Sequence, residues 1–210
     1  GWAYYFVAKH YADNNPDLKA AFGYNKVELW NHYKTHGIQE GRPAHGASYN
    51  ADAKLKVFDT ASNITNDSMS ERDKIKAIHD WIVNHTKYDK ENFFNNTIPE
   101  DSYSIAGAML NGKAVYSGYA VTFDYFMYVL GIEHEHVSGN ATNSSGLTGG
   151  LTGGHAWNRV LLDNQWYYVD CTWDDPVRSD GKDVLRYTYF LISDEQISKD
   201  HVAEKIYKTY

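Results

Sequence analysis

From Tyr116 to Leu130 the chain offers a helix with almost no side suited to water. Val121, Phe123, Tyr125, Phe126, Met127, Tyr128, Val129 and Leu130 crowd the run, Asp124 is its one charge, and Gly112 and Gly131 bracket it. A helix that is apolar nearly all round belongs in the middle of a domain. The rest of the chain must wrap it, and 210 residues suffice for that and for a small second unit. A buried Asp124 would need a partner; a local opening to solvent is the simpler expectation.

Composition removes some function classes. A net charge of −7 and the lack of any Lys or Arg run argue against nucleic acid as a partner. No apolar stretch reaches the length needed to span a bilayer, and Gly1 does not open a signal-like segment. Aromatics reach 15%, with 18 Tyr and 6 Trp. Most of these suit an aromatic core with wet tyrosines, and some suit a sugar- or peptide-binding surface. The single Cys171 rules out a disulfide within these residues, which fits both a reducing cytosol and cysteine-poor bacterial surface proteins.

The chain divides near residue 46. Asn15 to Gly23 reads as a short helix, with Pro16 near its start and Gly23 just past its end. Val27, Leu29, Trp30 and Tyr33 give helical spacing to the next segment. His32 and His36 are four apart with Glu28 a turn earlier, a pattern expected of surface histidines before a metal site. Residues 43–50 read as a linker, and residues 51–66 as a helix through Leu55, Val57, Phe58 and Ile64. Ser70 to Asp73 forms a capping-box variant ahead of a helix with Ile75, Ile78, Ile82 and Val83 on one face. His79 and His85 are read as structural there. Ser102 is expected to cap a helix through Ile105, Ala108, Met109 and Leu110. Gly, Thr, Asn and Ser make up most of residues 139–154, an expected mobile loop ending at His155. His155–Leu162 and Trp166–Thr172 read as a hairpin that brings His155 beside Asp170. A strand over Tyr187–Ile192 and a helix after Ser193 complete an α+β layout.

Three segments then combine: Gly112-Lys113-Ala114-Val115-Tyr116-Ser117-Gly118-Tyr119, His155-Ala156-Trp157-Asn158, and Asp170-Cys171-Thr172-Trp173-Asp174-Asp175-Pro176. In that order they resemble the transglutaminase-like domain of the papain-type cysteine protease superfamily. The segment from Lys74 to Asp89 is similar to the helix before the active site in that family. The resemblance implies an antiparallel sheet packed on a central helix over residues 47–210, with residues 1–46 as a small helical module. The latter resemble a short helical repeat of secreted bacterial surface proteins, which points to a secreted or cell-surface location; a cytoplasmic one is also compatible.

The family's nucleophilic Cys sits at a helix N-terminus, where the helix dipole and an imidazolium lower its pKa. Carried onto this chain, the catalytic positions are Tyr116, His155 and Asp170, with Tyr at the nucleophile place. Ser117, Tyr119, Trp157 and Trp173 are the expected substrate-binding neighbours. A phenol titrates near 10, is a weak nucleophile towards amides and is longer than a thiol. Ser117 is turned roughly 100° away on the helix, and Cys171 should point into the core. His134 and His136, with His155, are read as strand residues and no metal site. Asp174 and Asp175 are read as shaping a turn before Pro176, with a sugar-directed carboxylate pair as the lesser reading. No cofactor is implied. Three readings stand: a degenerate domain binding peptide or cell-wall material, a thiol-independent hydrolase or transferase on cell-wall peptide or glycan using His155 and Asp170, and a structural module.

Overall fold

The structure, a computed structural model, describes residues 8–37, 39–40, 42, 51–142, 153–175 and 184–210. The linker at 43–50, most of the Gly- and Thr-rich run and Pro176 lie outside them. Three short helices come first: α1 Ala8–Asn14, α2 Pro16–Phe22 and α3 Lys26–His32. Pro16 opens α2 and Gly23 closes it at φ 57°. Asn25 caps α3 by accepting from the amides of Val27 and Glu28, and a wide turn, Tyr33–Gly37, follows. Tyr11, Ala12, Leu18, Leu29 and Tyr33 form a small core of their own. Val27 is exposed, so the buried face is narrower than its spacing suggested. His32 is engaged by the Tyr11 hydroxyl at 2.9 Å.

Helix α4 spans Ala51–Ile64 and α5 spans Glu71–His85. Ser70 accepts from the Asp73 amide, as its capping role requires. Ile75, Ile78, Ile82 and Val83 are all buried. On α4 the expected face is partly wrong. Ala53, Val57 and Ala61 are buried at four-residue steps, whereas Leu55 and Phe58 are exposed. Small residues let α4 lie close, and the larger apolar ones fall outside that stripe.

Strand β1 Lys87–Tyr88, helix α6 Lys90–Phe94, a 3-10 turn Glu100–Tyr103, a π turn Gly107–Asn111 and strand β2 Lys113–Ala114 lead to helix α7, Tyr116–Leu130. Ser102 caps no helix: it lies inside the 3-10 turn, and its hydroxyl donates to Asp89 at 2.9 Å. Strands β3 His134–Ala141, β4 Gly153–Leu162, β5 Gln165–Val169 and β6 Phe190–Ile192, helix α8 Asp194–Ile197 and strand β7 His201–Tyr207 complete the described chain. The five strands order as β6-β5-β4-β3-β7, with every pair antiparallel. Strand β6 is shorter than expected, and β7 was not foreseen at all.

Helix α7 is the centre, as its composition demands. Phe123, Phe126 and Met127 have no solvent exposure and share one core with α4, α5, β4 and β5. Each such side chain contributes roughly 2 kcal/mol on burial. Asp124 is equally buried, so the expectation of a solvent opening is corrected. Its carboxyl meets His136 Nδ1 at 2.7 Å and accepts from Asn158 Nδ2 at 2.6 Å. The same Asn158 amide donates to the Ala120 carbonyl of α7 at 3.0 Å. One polar clamp therefore fixes α7 against β3 and β4. On β4 the alternation puts Trp157 on the opposite side from Asn158 and Val160, where it joins Val137, Tyr168, Ile192 and Ile197 in a second core.

Candidate active site

The first residue of α7 is placed by its backbone surroundings. Val115 donates to the Ser102 carbonyl at 2.9 Å. Gly118 passes so close to that carbonyl that a Cβ on it would lie 2.4 Å away. Asp89 anchors this knot through Ser102, Asn92 and Lys113. Burial would raise the Asp89 pKa, but these partners outweigh it and hold the group below its usual value. The result is a helix N-terminus held from three sides, with Tyr116 at its head.

Tyr116 is half-buried, and its ring lies 5.5 Å from the His155 ring. Among the described residues its hydroxyl has no hydrogen-bond partner. Burial, then the neighbouring Tyr103, raises the phenol further above its usual value, so it stays protonated at neutral pH.

His155 and Asp170 meet as the hairpin implied. The Nε2 of His155 is 2.7 Å from Asp170 Oδ2, and both residues are buried. Strand β5 ends at Val169, and the chain then folds back on Asp170. Its Oδ1 accepts from the amides of Thr172 and Trp173, at 2.9 and 3.1 Å. Burial disfavours the charged carboxylate, yet the histidines bonded to it reverse the effect and hold its pKa well below the usual range.

The second histidine is His201, the first residue of β7. Its Nε2 lies 3.1 Å from the same Oδ2 of Asp170, and its Nδ1 lies 2.6 Å from Asp200. Asp200 also accepts from the Tyr189 hydroxyl at 2.6 Å. Burial works against a charged His201, but the two carboxylates prevail and raise its pKa. The rings of Trp157, Trp173 and Tyr189 surround it, with centroids 4.8, 4.4 and 5.3 Å away. Sequence reasoning missed this residue because its strand was missed. The pattern Val202-Ala203-Glu204-Lys205-Ile206-Tyr207 does not alternate cleanly, and six of the strand's seven residues are exposed.

The expected substrate-facing residues separate. Trp173 is partly exposed and packs 5.4 Å from His155. Tyr119 is buried in the main core, and its hydroxyl donates to Asp175 at 2.6 Å. Trp157 is buried in the second core. The Ser117 hydroxyl is sealed from solvent with no partner among the described residues. Tyr119 and Trp157 are therefore turned inward in this conformation, whereas Ser117 is partly exposed with its hydroxyl facing in.

Cys171 is buried in the main core, as expected, and burial pushes its thiol up. Asp174 is bonded to His79 Nε2 at 3.1 Å and to the Tyr189 amide, and Asp175 holds Tyr119. Both are internal ties and form no open carboxylate pair. His134 bonds the Ile132 carbonyl and His136 bonds Asp124, so neither joins His155.

Comparison with known proteins agrees with this fold. A family model described as the transglutaminase-like superfamily matches residues 59–171, just over half of the chain. Kyphoscoliosis peptidase of Mus musculus is 27% identical over 158 residues, covering 72% of this chain and 24% of that protein. The Homo sapiens protein of the same name is 25% identical over 159 residues, with the same coverage. The chain thus spans about a quarter of the length of the curated relatives it matches. A crystal structure of a candidate cysteine protease from Cytophaga hutchinsonii has a TM-score of 0.50 at 15% identity, covering 74% of this chain and 43% of that one. At that identity the likeness concerns the fold.

Proposed function

The chain belongs to the transglutaminase-like superfamily, and from that premise we propose that its cleft binds peptide without transferring an acyl group. Tyr116 stands in the place of the nucleophilic cysteine and stoppers the space where a scissile carbonyl would sit. The observation that carries this reading is the contact of the Tyr116 ring with His155 at 5.5 Å, in place of a hydroxyl hydrogen-bonded to the imidazole. A nucleophile and its base need hydrogen-bond reach. The raised phenol adds to the case, since nucleophilicity needs the opposite shift. The peptide class of ligand rests on the peptidase name of the relatives, and cell-wall peptide or glycan fragments are the first ligands to try. A secreted or surface location, and residues 1–46 as a separate repeat-like module, form part of the same proposal.

A second reading has one specific observation in its favour. The His155–Asp170 pair is close, buried and oriented by two backbone amides, which suits a working general base. One experiment separates the two. Peptides and cell-wall fragments are incubated with the protein, with His155→Ala and with Tyr116→Cys, and masses are recorded alongside equilibrium binding. Binding without new masses in the wild type, with slow cleavage in Tyr116→Cys, is expected. New masses from the wild type that vanish in His155→Ala would replace this reading with a thiol-independent hydrolase.

A further inference from the structure

We propose that His155, Asp170 and His201 form a binding site for a divalent transition metal of the zinc class. The donors are the two Nε2 atoms and Oδ2 of Asp170. One ligand atom from each residue lies within 4.8 Å of the other two, and the two separations from Oδ2 are 2.7 and 3.1 Å. Zinc bonds of about 2.0–2.2 Å in a tetrahedral shell place neighbouring donors roughly 3.4 Å apart. Both contacts to Oδ2 lengthen when an ion is seated between the three donors. The donor set of two imidazoles and one carboxylate suits zinc, copper, iron or nickel, whereas calcium and magnesium take oxygen shells.

A second observation points the same way. Histidine ligands commonly give their other ring nitrogen to a carboxylate, and carboxylate ligands are themselves hydrogen-bonded. Here His201 Nδ1 faces Asp200 at 2.6 Å, and Asp200 is itself held by Tyr189. The oxygen of Asp170 that would not bind metal is already occupied by the Thr172 and Trp173 amides. An aromatic wall of Trp157, Trp173 and Tyr189 encloses the site. Orienting one imidazole needs one carboxylate; a second histidine on the same oxygen is surplus to that task. No fourth His, Cys, Asp or Glu joins the group among the described residues, so one coordination position is left to water or to an oxygen of a ligand. The site does not depend on how Tyr116 is read.

The test is calorimetric titration of Zn²⁺ into the chelator-stripped full chain, with Co²⁺ absorption as a report on geometry. One ion per chain is expected, with a tetrahedral cobalt spectrum. His201→Gln and Asp170→Asn should each weaken binding by more than about 100-fold, and Asp200→Asn, outside the shell, by about 10- to 100-fold. His36→Gln should change nothing, because that exposed ring belongs to the N-terminal helices. Near-ultraviolet circular dichroism checks each fold. Asp170→Asn removes a buried carboxylate bonded to two histidines, so the partly exposed Asp200 carries the test if that variant unfolds. Absence of stoichiometric binding to the wild type would overturn the proposal. So would wild-type affinity in both His201→Gln and Asp200→Asn.

Discussion

A carboxyl group inside an otherwise apolar helix is tolerable only when both its oxygens are occupied, and Asp124 meets that condition through His136 and Asn158. Replacing it by Ala would strand two buried donors. Asp124→Ala should therefore lose about 3 kcal/mol in urea unfolding; a loss below 1 kcal/mol would mean the clamp is slack. His79 shows the same logic with a titratable outcome. It has no solvent exposure and lies 3.1 Å from both Asp80 and Asp174. Burial opposes its charge, but the two carboxylates raise its pKa above the usual value. Its contribution is present below about pH 6.5 and is lost as pH rises through the higher folded value. Stability should fall over that interval, and His79→Gln should flatten the fall. Equal slopes in both proteins would place the titration elsewhere.

At the scale of elements, α7 shows what sequence can and cannot disclose. Its burial followed from composition alone, because no orientation of Tyr116–Leu130 keeps its apolar side chains from water. The partner of Asp124 did not follow, since His136 and Asn158 come from two strands that fold onto the helix later in the chain. Gly118 carries a related lesson. Alanine favours helices over glycine by about 1 kcal/mol, yet a Cβ there would lie 2.4 Å from the Ser102 carbonyl and 2.8 Å from Ala114. Gly118→Ala should lower stability by about 1–3 kcal/mol despite the better propensity, read as a drop in melting temperature. A gain would show that the turn before α7 yields easily. Strand β7 escaped the sequence reading for the opposite reason: an edge strand with one paired side needs little apolar pattern to form.

For the whole molecule, the buried residues of the first 42 positions cluster among themselves, and those beyond residue 50 form the two other cores. The proposed division near residue 46 predicts that the larger unit folds on its own. A fragment of residues 47–210 should keep the main thermal transition within about 3 °C of the full chain, since a shift of that size is about 1 kcal/mol for a domain this large. A collapse of the transition would join the two units into one. The Tyr116, His155 and Asp170 positions were legible because each stands in a short local motif. His201 was not, because its meaning depends on a contact 31 residues away in sequence.

Gly139 has a bearing on descent. Strand β7 crosses it with a register shift, so closely that a Cβ would lie 2.1 Å from the Val202 carbonyl. Any side chain there would press β7, the strand that carries His201, away from β3. One codon thus bears on whether Asp170 keeps its second imidazole. Across kindred chains, loss of this glycine and loss of the second histidine should be inherited together.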